Sequence, residues 1–220
     1  MSVQRSSLPT LRSIGFKEAL VHSALTSPTR LWSAAEVLTR PSPIPAAAGV
    51  YGWHFDEAPA PALVAGRLLY IGIAPRHMSN RRSTQNLRKR VRYHFRGNAA
   101  GSTLRLTLGC LLGLELRRVG SGGRMTFGRA GEASLTEWMA ERARVCWLEH
   151  EEPWTVESDL IARLDVPLNL DQNRHNGFHA PLSKLRPRAV REASGERNLG
   201  ESTVMFAEAS GRLQPPSRPR

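Results

Sequence analysis

The strongest constraint on the fold is the run Leu68-Leu69-Tyr70-Ile71-Gly72-Ile73, strongly apolar, with Pro75 just behind it. It reads as a core strand. Gly49-Val50-Tyr51-Gly52-Trp53 reads as a second short strand, and the Ala- and Pro-rich link from His54 to Arg67 makes the two a hairpin with a long loop. Val145–Leu148 is a third, shorter strand. Between them the periodicity predicts helices: one capped by Ser83 or Thr84 and running to about Arg96, then Ser102–Leu112, Ser134–Ala143 and Pro153–Leu164. A Gly-rich turn at Gly120–Gly123 separates Glu115–Val119 from Arg124–Phe127 as a small hairpin. Three core strands interleaved with helices make a small α+β layer structure.

Around that core, residues 1–40 read as a partly helical appendage, with Ile14–Leu25 and Leu31–Leu38 as its helical candidates. Residues 41–185, entered through Pro41, Pro43 and Pro45, form the compact domain. Residues 186–220, rich in Arg, Pro, Ser and Glu, read as a basic, largely flexible tail. The two cysteines, Cys110 and Cys146, exclude a disulfide scaffold and a Cys-based zinc site, and their apolar neighbours make them reduced core residues. No apolar stretch approaches the roughly 20 residues that span a bilayer. With no secretory leader visible, the expectation is a cytoplasmic protein with no membrane partner.

Charge narrows the function. The chain carries 31 Lys+Arg against 19 Asp+Glu, a formal net charge of +12. Eight of the basic residues fall between Arg76 and Arg96, with no Asp or Glu among them. Such a focus suits a polyanion, most simply nucleic acid, against the plainer reading of a solvated face. At about 100° per residue, Leu87, Val91, His94 and Phe95 fall on one inward stripe of the basic helix. Arg88, Lys89, Arg92 and Arg96 fall on its outward side, whereas Arg90 stands apart at the edge of the buried stripe, beside His94. That arginine is either a snorkelling surface residue or part of a site.

A second helix holds a residue out of place. Val156, Leu160, Ile161 and Leu164 form an apolar arc, and Glu157 falls inside it, while Asp159 and Arg163 fall off its centre. A carboxylate on a buried face is costly unless it is paired, hydrogen-bonded or bound to a metal. Glu157 is therefore a structural ion pair, with Arg90 as a partner, or a metal ligand or acid–base group. Tyr51 and Tyr70 are open between core and site. Gly120–Gly123 lacks the Lys-Ser/Thr of a phosphate loop, and there is no paired-carboxylate motif and no nucleophile elbow.

Taken in order, these residues resemble the GIY-YIG nuclease superfamily. Gly49-Val50-Tyr51 and Tyr70-Ile71-Gly72 are similar to the two tripeptides that name it, with Val50 in place of Ile. Leu87–Phe95 resembles the helix whose Arg is followed four residues on by a His, here Arg90 and His94. Glu157–Ile161 and Pro167-Leu168-Asn169 resemble its Glu helix and trailing Pro-x-Asn element. The likeness spans about Pro45–Asn176. The loop between the tyrosines is longer than in compact members, Gly97–Phe127 maps onto nothing in the family, and Glu115 and Glu132 take no role from it. The polar stretch Asn169–Asn176 either adds site or strand-binding groups or forms a hydrogen-bonded turn, the turn being the preferred reading.

The resemblance implies an α+β fold: a small three-stranded, mainly antiparallel sheet flanked by helices, with a helical N-terminal extension and a flexible C-terminal tail. It implies a metal-dependent nuclease, a DNA endonuclease, with one Mg²⁺ or Mn²⁺ on Glu157. Arg90 would grip the scissile phosphate, and Tyr51 would take or relay the proton of the attacking water, with His94 as the alternative base. Tyr70 would orient water or phosphate, and Asn169 would position the Glu helix or the metal's water shell. Arg88, Lys89, Arg92 and Arg96 would bind flanking phosphates of the nucleic acid. The alternative is a nucleic-acid-binding protein on this scaffold that does not cut. A structural basic protein bound to RNA would need neither Glu157 in its apolar arc nor the paired tyrosines.

Overall fold

The computed structural model describes residues 11–75, 84–120 and 123–195, with side chains in the first helix from residue 19 on. In chain order the elements are α1 (Leu11–Thr26), α2 (Ala34–Val37), β1 (Gly49–Phe55), β2 (Leu68–Ala74), α3 (Leu87–Arg96) and α4 (Thr103–Leu111). They continue with β3 (Arg117–Val119), β4 (Arg124–Thr126), α5 (Gly128–Arg142), β5 (Ala143–Glu149), α6 (Trp154–Arg163) and α7 (His179–Ala193).

The expected α+β architecture is the one adopted. The main sheet has the order β2-β1-β5, with both pairings antiparallel, and β3-β4 is a separate small hairpin. Every residue of β1 and β2 is buried, so both faces of the sheet are covered. Alternation along β1 sends Tyr51, Trp53 and Phe55 into one cluster with Leu87, Val91, Phe95, Leu104 and Leu135. Val50 goes the other way, into a cluster with Val21, Leu25, Leu160 and Ile161. Helices α3, α4 and α5 thus cover one face, and α1 and α6 the other.

Helices α3 and α5 start elsewhere than expected, whereas α4 starts from the expected Ser102. Asn86 Oδ1 accepts the Lys89 N–H at 2.9 Å, so α3 starts at Leu87 and not after Thr84; Ser83 lies outside the described residues. Ser102 caps α4 by accepting the Arg105 N–H at 3.1 Å. Helix α5 begins at Gly128, ahead of the expected Ser134, and α2 is a single turn closed by the Ser33–Glu36 capping box.

Two segments outside the expected 41–185 core pack against it. In the N-terminal part Val21 and Leu25 are buried, and Trp32 exchanges two backbone hydrogen bonds of 2.9 Å with Val145. The physical reason is the second face of the sheet, whose Val50, Ile71, Ile73 and Cys146 need more cover than α6 alone gives. At the other end, α7 runs straight through the expected boundary at 185/186. Its Leu182 is buried, and Leu185, Ala189 and Ala193 pack on the core. Pro181 sits in the first turn, where its missing N–H satisfies nothing anyway.

A buried ion pair ties the first face together. Arg105 is fully buried, and its Nη2 lies 2.7 Å from Glu132 Oε2. Its Nη1 donates to the carbonyls of His94 and Phe95, both at 3.2 Å, at the C-terminal end of α3. No helix among the described residues is long and apolar enough to cross a membrane.

Candidate active site

The site starts from a missing side chain. Tyr51 on the central strand lies opposite Gly72 on β2. A Cβ at residue 72 would fall 2.6 Å from Tyr51 Cζ and closer still to its hydroxyl. Only glycine lets the phenol lie across β2, and this is what brings Tyr51 from the middle of the sheet to a cleft of about 290 Å³. Tyr70, Thr103, Glu157, Asn169 and Arg186 line the same cleft.

Behind Tyr51 lies a relay of polar groups. Its Oη is 2.9 Å from His94 Nε2, and His94 Nδ1 is 2.7 Å from Ser102 Oγ. His94 is fully buried and does not line the cleft. Arg90 reaches Tyr51 from the side: its Nε donates to Tyr51 Oη at 3.4 Å and its Nη1 to the Gly101 carbonyl at 3.1 Å. Arg90 Nη2 is buried without a hydrogen-bond partner among the described residues. Burial opposes the charge on Arg90, but the neighbouring phenols, Tyr51 first and then Tyr70 and Tyr93, outweigh it and hold the guanidinium above its ordinary pKa. Tyr70, which lines the same cleft, has its Oη 3.4 Å from Thr103 Oγ1.

Glu157 enters from the first turn of α6. Leu160, Ile161 and Leu164 are buried as the periodicity requires, and the arc's remaining position puts the half-buried carboxylate at the cleft wall. Arg90 forms no ion pair among the described residues, so the structural pairing of these two is not what explains Glu157. Asn169 is spent on the backbone of β2: Oδ1 accepts the Ile71 N–H at 2.9 Å and Nδ2 donates to the Ile71 carbonyl at 3.0 Å. The stretch after it is the expected turn, pinned by Asn173 Nδ2 on the Val166 and Asn169 carbonyls. Asp171 and Gln172 of this turn form part of the cleft lining, and Gln172 takes a left-handed φ of 62°.

The outward basic residues divide. Arg88 Nε donates to the Ile44 carbonyl at 2.6 Å and Arg92 Nη1 to the Leu38 carbonyl at 3.5 Å, so both tether the segment that leads into β1. Lys89 and Arg96 are exposed.

Sequence reasoning missed three residues. Ser102 was legible only as a helix start, Thr103 had no signal, and Arg186 was hidden in a Pro- and Arg-rich stretch taken for tail. As for a metal, no group of three or more His, Cys, Asp or Glu converges among the described residues. The carboxylates of Glu157 and Asp171 line one cleft that has no Cys or His in its walls. That hard, oxygen-only donor set fits Mg²⁺ or Mn²⁺, which fill their shells with water and phosphate.

The first two strands of the sheet thus each give a tyrosine to one cleft, with Glu157 of α6 in its lining and Arg90 and His94 of α3 in contact with Tyr51. The chain belongs to the GIY-YIG catalytic domain family, whose model matches residues 63–188, more than half of the sequence. The match starts after β1, and the β1–β2 register joins Tyr51 to it. Neither a curated protein nor a solved structure matches the chain. Family membership carries a nuclease-type function, nucleic acid as substrate and a general dependence on divalent metal.

Proposed function

We propose that the chain is a metal-dependent endonuclease acting on DNA. The observation that supports this is Tyr51, which lines the cleft together with Glu157 while its Oη is within hydrogen-bonding reach of both His94 and Arg90. Glu157, with Asp171 at the rim, would hold one Mg²⁺ or Mn²⁺, whose charge stabilises the scissile phosphate and leaving oxygen when bound.

The chain's own groups divide the remaining work. Tyr51 lies between the cleft and the buried His94, which supports an order in which Tyr51 takes the proton of the attacking water and passes its own to His94 Nε2. That order requires Nδ1 to carry hydrogen and donate to Ser102 Oγ, which has a second lone pair for the Arg105 N–H. Arg90 Nη2 is a buried donor in want of an acceptor, suited to a phosphate oxygen. Tyr70 orients water or phosphate from the far wall. Asn169 acts on the scaffold, tying the chain that follows α6 to β2. Lys89 and Arg96 take flanking phosphates, a role that Arg88 and Arg92 share less because carbonyls already occupy them.

Cleavage of plasmid DNA with Mg²⁺ and with EDTA tests the reading. Tyr51→Phe and Glu157→Gln are each expected to lower cleavage by ~100-fold or more, the scale of one lost transition-state contact, with the folded circular dichroism spectrum retained. Full Mg²⁺-dependent activity in either variant refutes the assignment. Tight binding with no cutting by the wild-type protein favours the non-catalytic binding protein.

A further inference from the structure

A second cavity, of about 280 Å³, is lined by Gln85, Lys89, Arg90, Tyr93 and Gly101, none of which lines the cleft. Tyr93 is 39% exposed, unusual for a tyrosine in a helix whose neighbours His94 and Phe95 are buried. The ring is nonetheless held. A Cβ at residue 97 would fall 2.7 Å from Tyr93 Cδ1, and one at residue 101 would fall 2.6 Å from Tyr93 Cζ. Two glycines thus let the backbone close against the ring. Its hydroxyl donates to Asn98 Oδ1 at 3.2 Å, and the same oxygen accepts the Gly101 N–H at 3.3 Å. The ring is therefore held by Gly97, Asn98 and Gly101 and remains 39% exposed beside the cavity.

Cations surround it. Lys89 is exposed and forms no ion pair among the described residues, and Arg90 lines this cavity while touching Tyr51 of the cleft. A rigid aromatic surface with cations beside it matches how proteins hold an unpaired nucleotide, base on ring and phosphate on cation. We infer that Tyr93 is a stacking platform for one unpaired base next to the scissile phosphate, with Lys89 on that nucleotide's backbone. The inference rests on the proposed nuclease reading and deepens it, because a base inside a duplex cannot reach the ring. The substrate is then a strand with an unpaired or extruded nucleotide beside the cut, not uniform duplex.

The test uses the full chain in EDTA, so that binding is read without cutting. Fluorescence anisotropy compares a single-stranded oligonucleotide with copies carrying one abasic site at successive positions. Removal of one particular base is expected to weaken wild-type binding about 5–150-fold, the range for one stacked base. Tyr93→Leu is expected to bind as weakly as that and to ignore the abasic site. Tyr93→Phe is expected to behave as wild type, and Tyr93→Trp to bind with quenched indole emission. A flat abasic scan with wild-type protein, or Tyr93→Leu retaining the abasic effect, overturns the inference while the nuclease reading stands. No nucleic-acid binding by the wild-type chain overturns both. Should Tyr93→Leu fail to fold, the wild-type scan and the Trp quench still decide.

Discussion

The Arg105–Glu132 pair offers the sharpest test of how the site is held. Arg105 has no exposed side-chain surface and Glu132 keeps 15%. Beyond Glu132, the guanidinium serves the His94 and Phe95 carbonyls and Thr136 Oγ1. Glu132→Ala strands a fully buried charge, so it is expected to cost the full ~3–5 kcal/mol of a broken buried pair. Arg105→Met leaves a carboxylate that can still reach water and still accepts the Ala99 N–H at 2.9 Å and the Phe127 N–H at 3.3 Å. Its cost is expected near the lower end, ~3 kcal/mol. The double variant Arg105→Met/Glu132→Leu removes both charges and is expected to cost less than the worse single change, since apolar replacement of a whole buried pair is often neutral. Urea denaturation followed by circular dichroism gives each value, and at about 2–4 °C per kcal/mol for a chain of this size the single variants melt some ~6–20 °C lower. If the two single costs simply add in the double within ~0.5 kcal/mol, the two side chains are independent and the argument fails.

Gly72→Ala forces a methyl group into the Tyr51 ring and is expected to cost ~1–3 kcal/mol as overpacking and to lower cleavage as far as Tyr51→Phe does; no further loss when the two are combined would show that they act through the same phenol. Lys89→Ala and Arg96→Ala are each expected to reduce the salt slope of binding by about one. Arg88→Ala is expected to leave the slope nearly unchanged and to lower stability by ~1.5–3 kcal/mol, the worth of a charged donor on a carbonyl. Burial pushes the Cys110 thiol up to about 11 and that of Cys146 to about 12. Iodoacetamide at pH 8 is therefore expected to leave both untouched in the native protein and to label both in urea. Because both values are raised, the stability they contribute is complete below about pH 9 and is lost as pH climbs towards 11–12. Rapid native labelling at pH 8 would contradict their burial.

Much of the site was legible because its residues break local rules. Glu157 sits in an apolar arc and lines the cleft, whereas Arg90, at the edge of a buried stripe, lines the second cavity and donates to Tyr51 of the cleft. Strands β1 and β2 were plain because they are apolar on both faces. What stayed hidden depends on long-range geometry. Nothing in the local pattern of His94 says that Ser102 lies against its Nδ1, nor that Arg88 and Arg92 meet the Ile44 and Leu38 carbonyls. Helix α7 was masked by composition: Pro181, Pro187 and four basic residues dilute the Leu182, Leu185, Ala189 and Ala193 stripe that seats it. The first turns of α5 were masked by Gly128 and Gly131.

The two outer strands of the sheet are each stoppered at mid-length, β5 by the Trp32 backbone on Val145 and β2 by the Asn169 amide on Ile71. A bare outer strand invites a stranger's strand to add on. With both flanks blocked, a neighbour's strand cannot zip along the three-stranded sheet past these points, and the tyrosine that crosses β2 is not covered in that way. The main sheet is thus insulated from the commonest route to unwanted pairing.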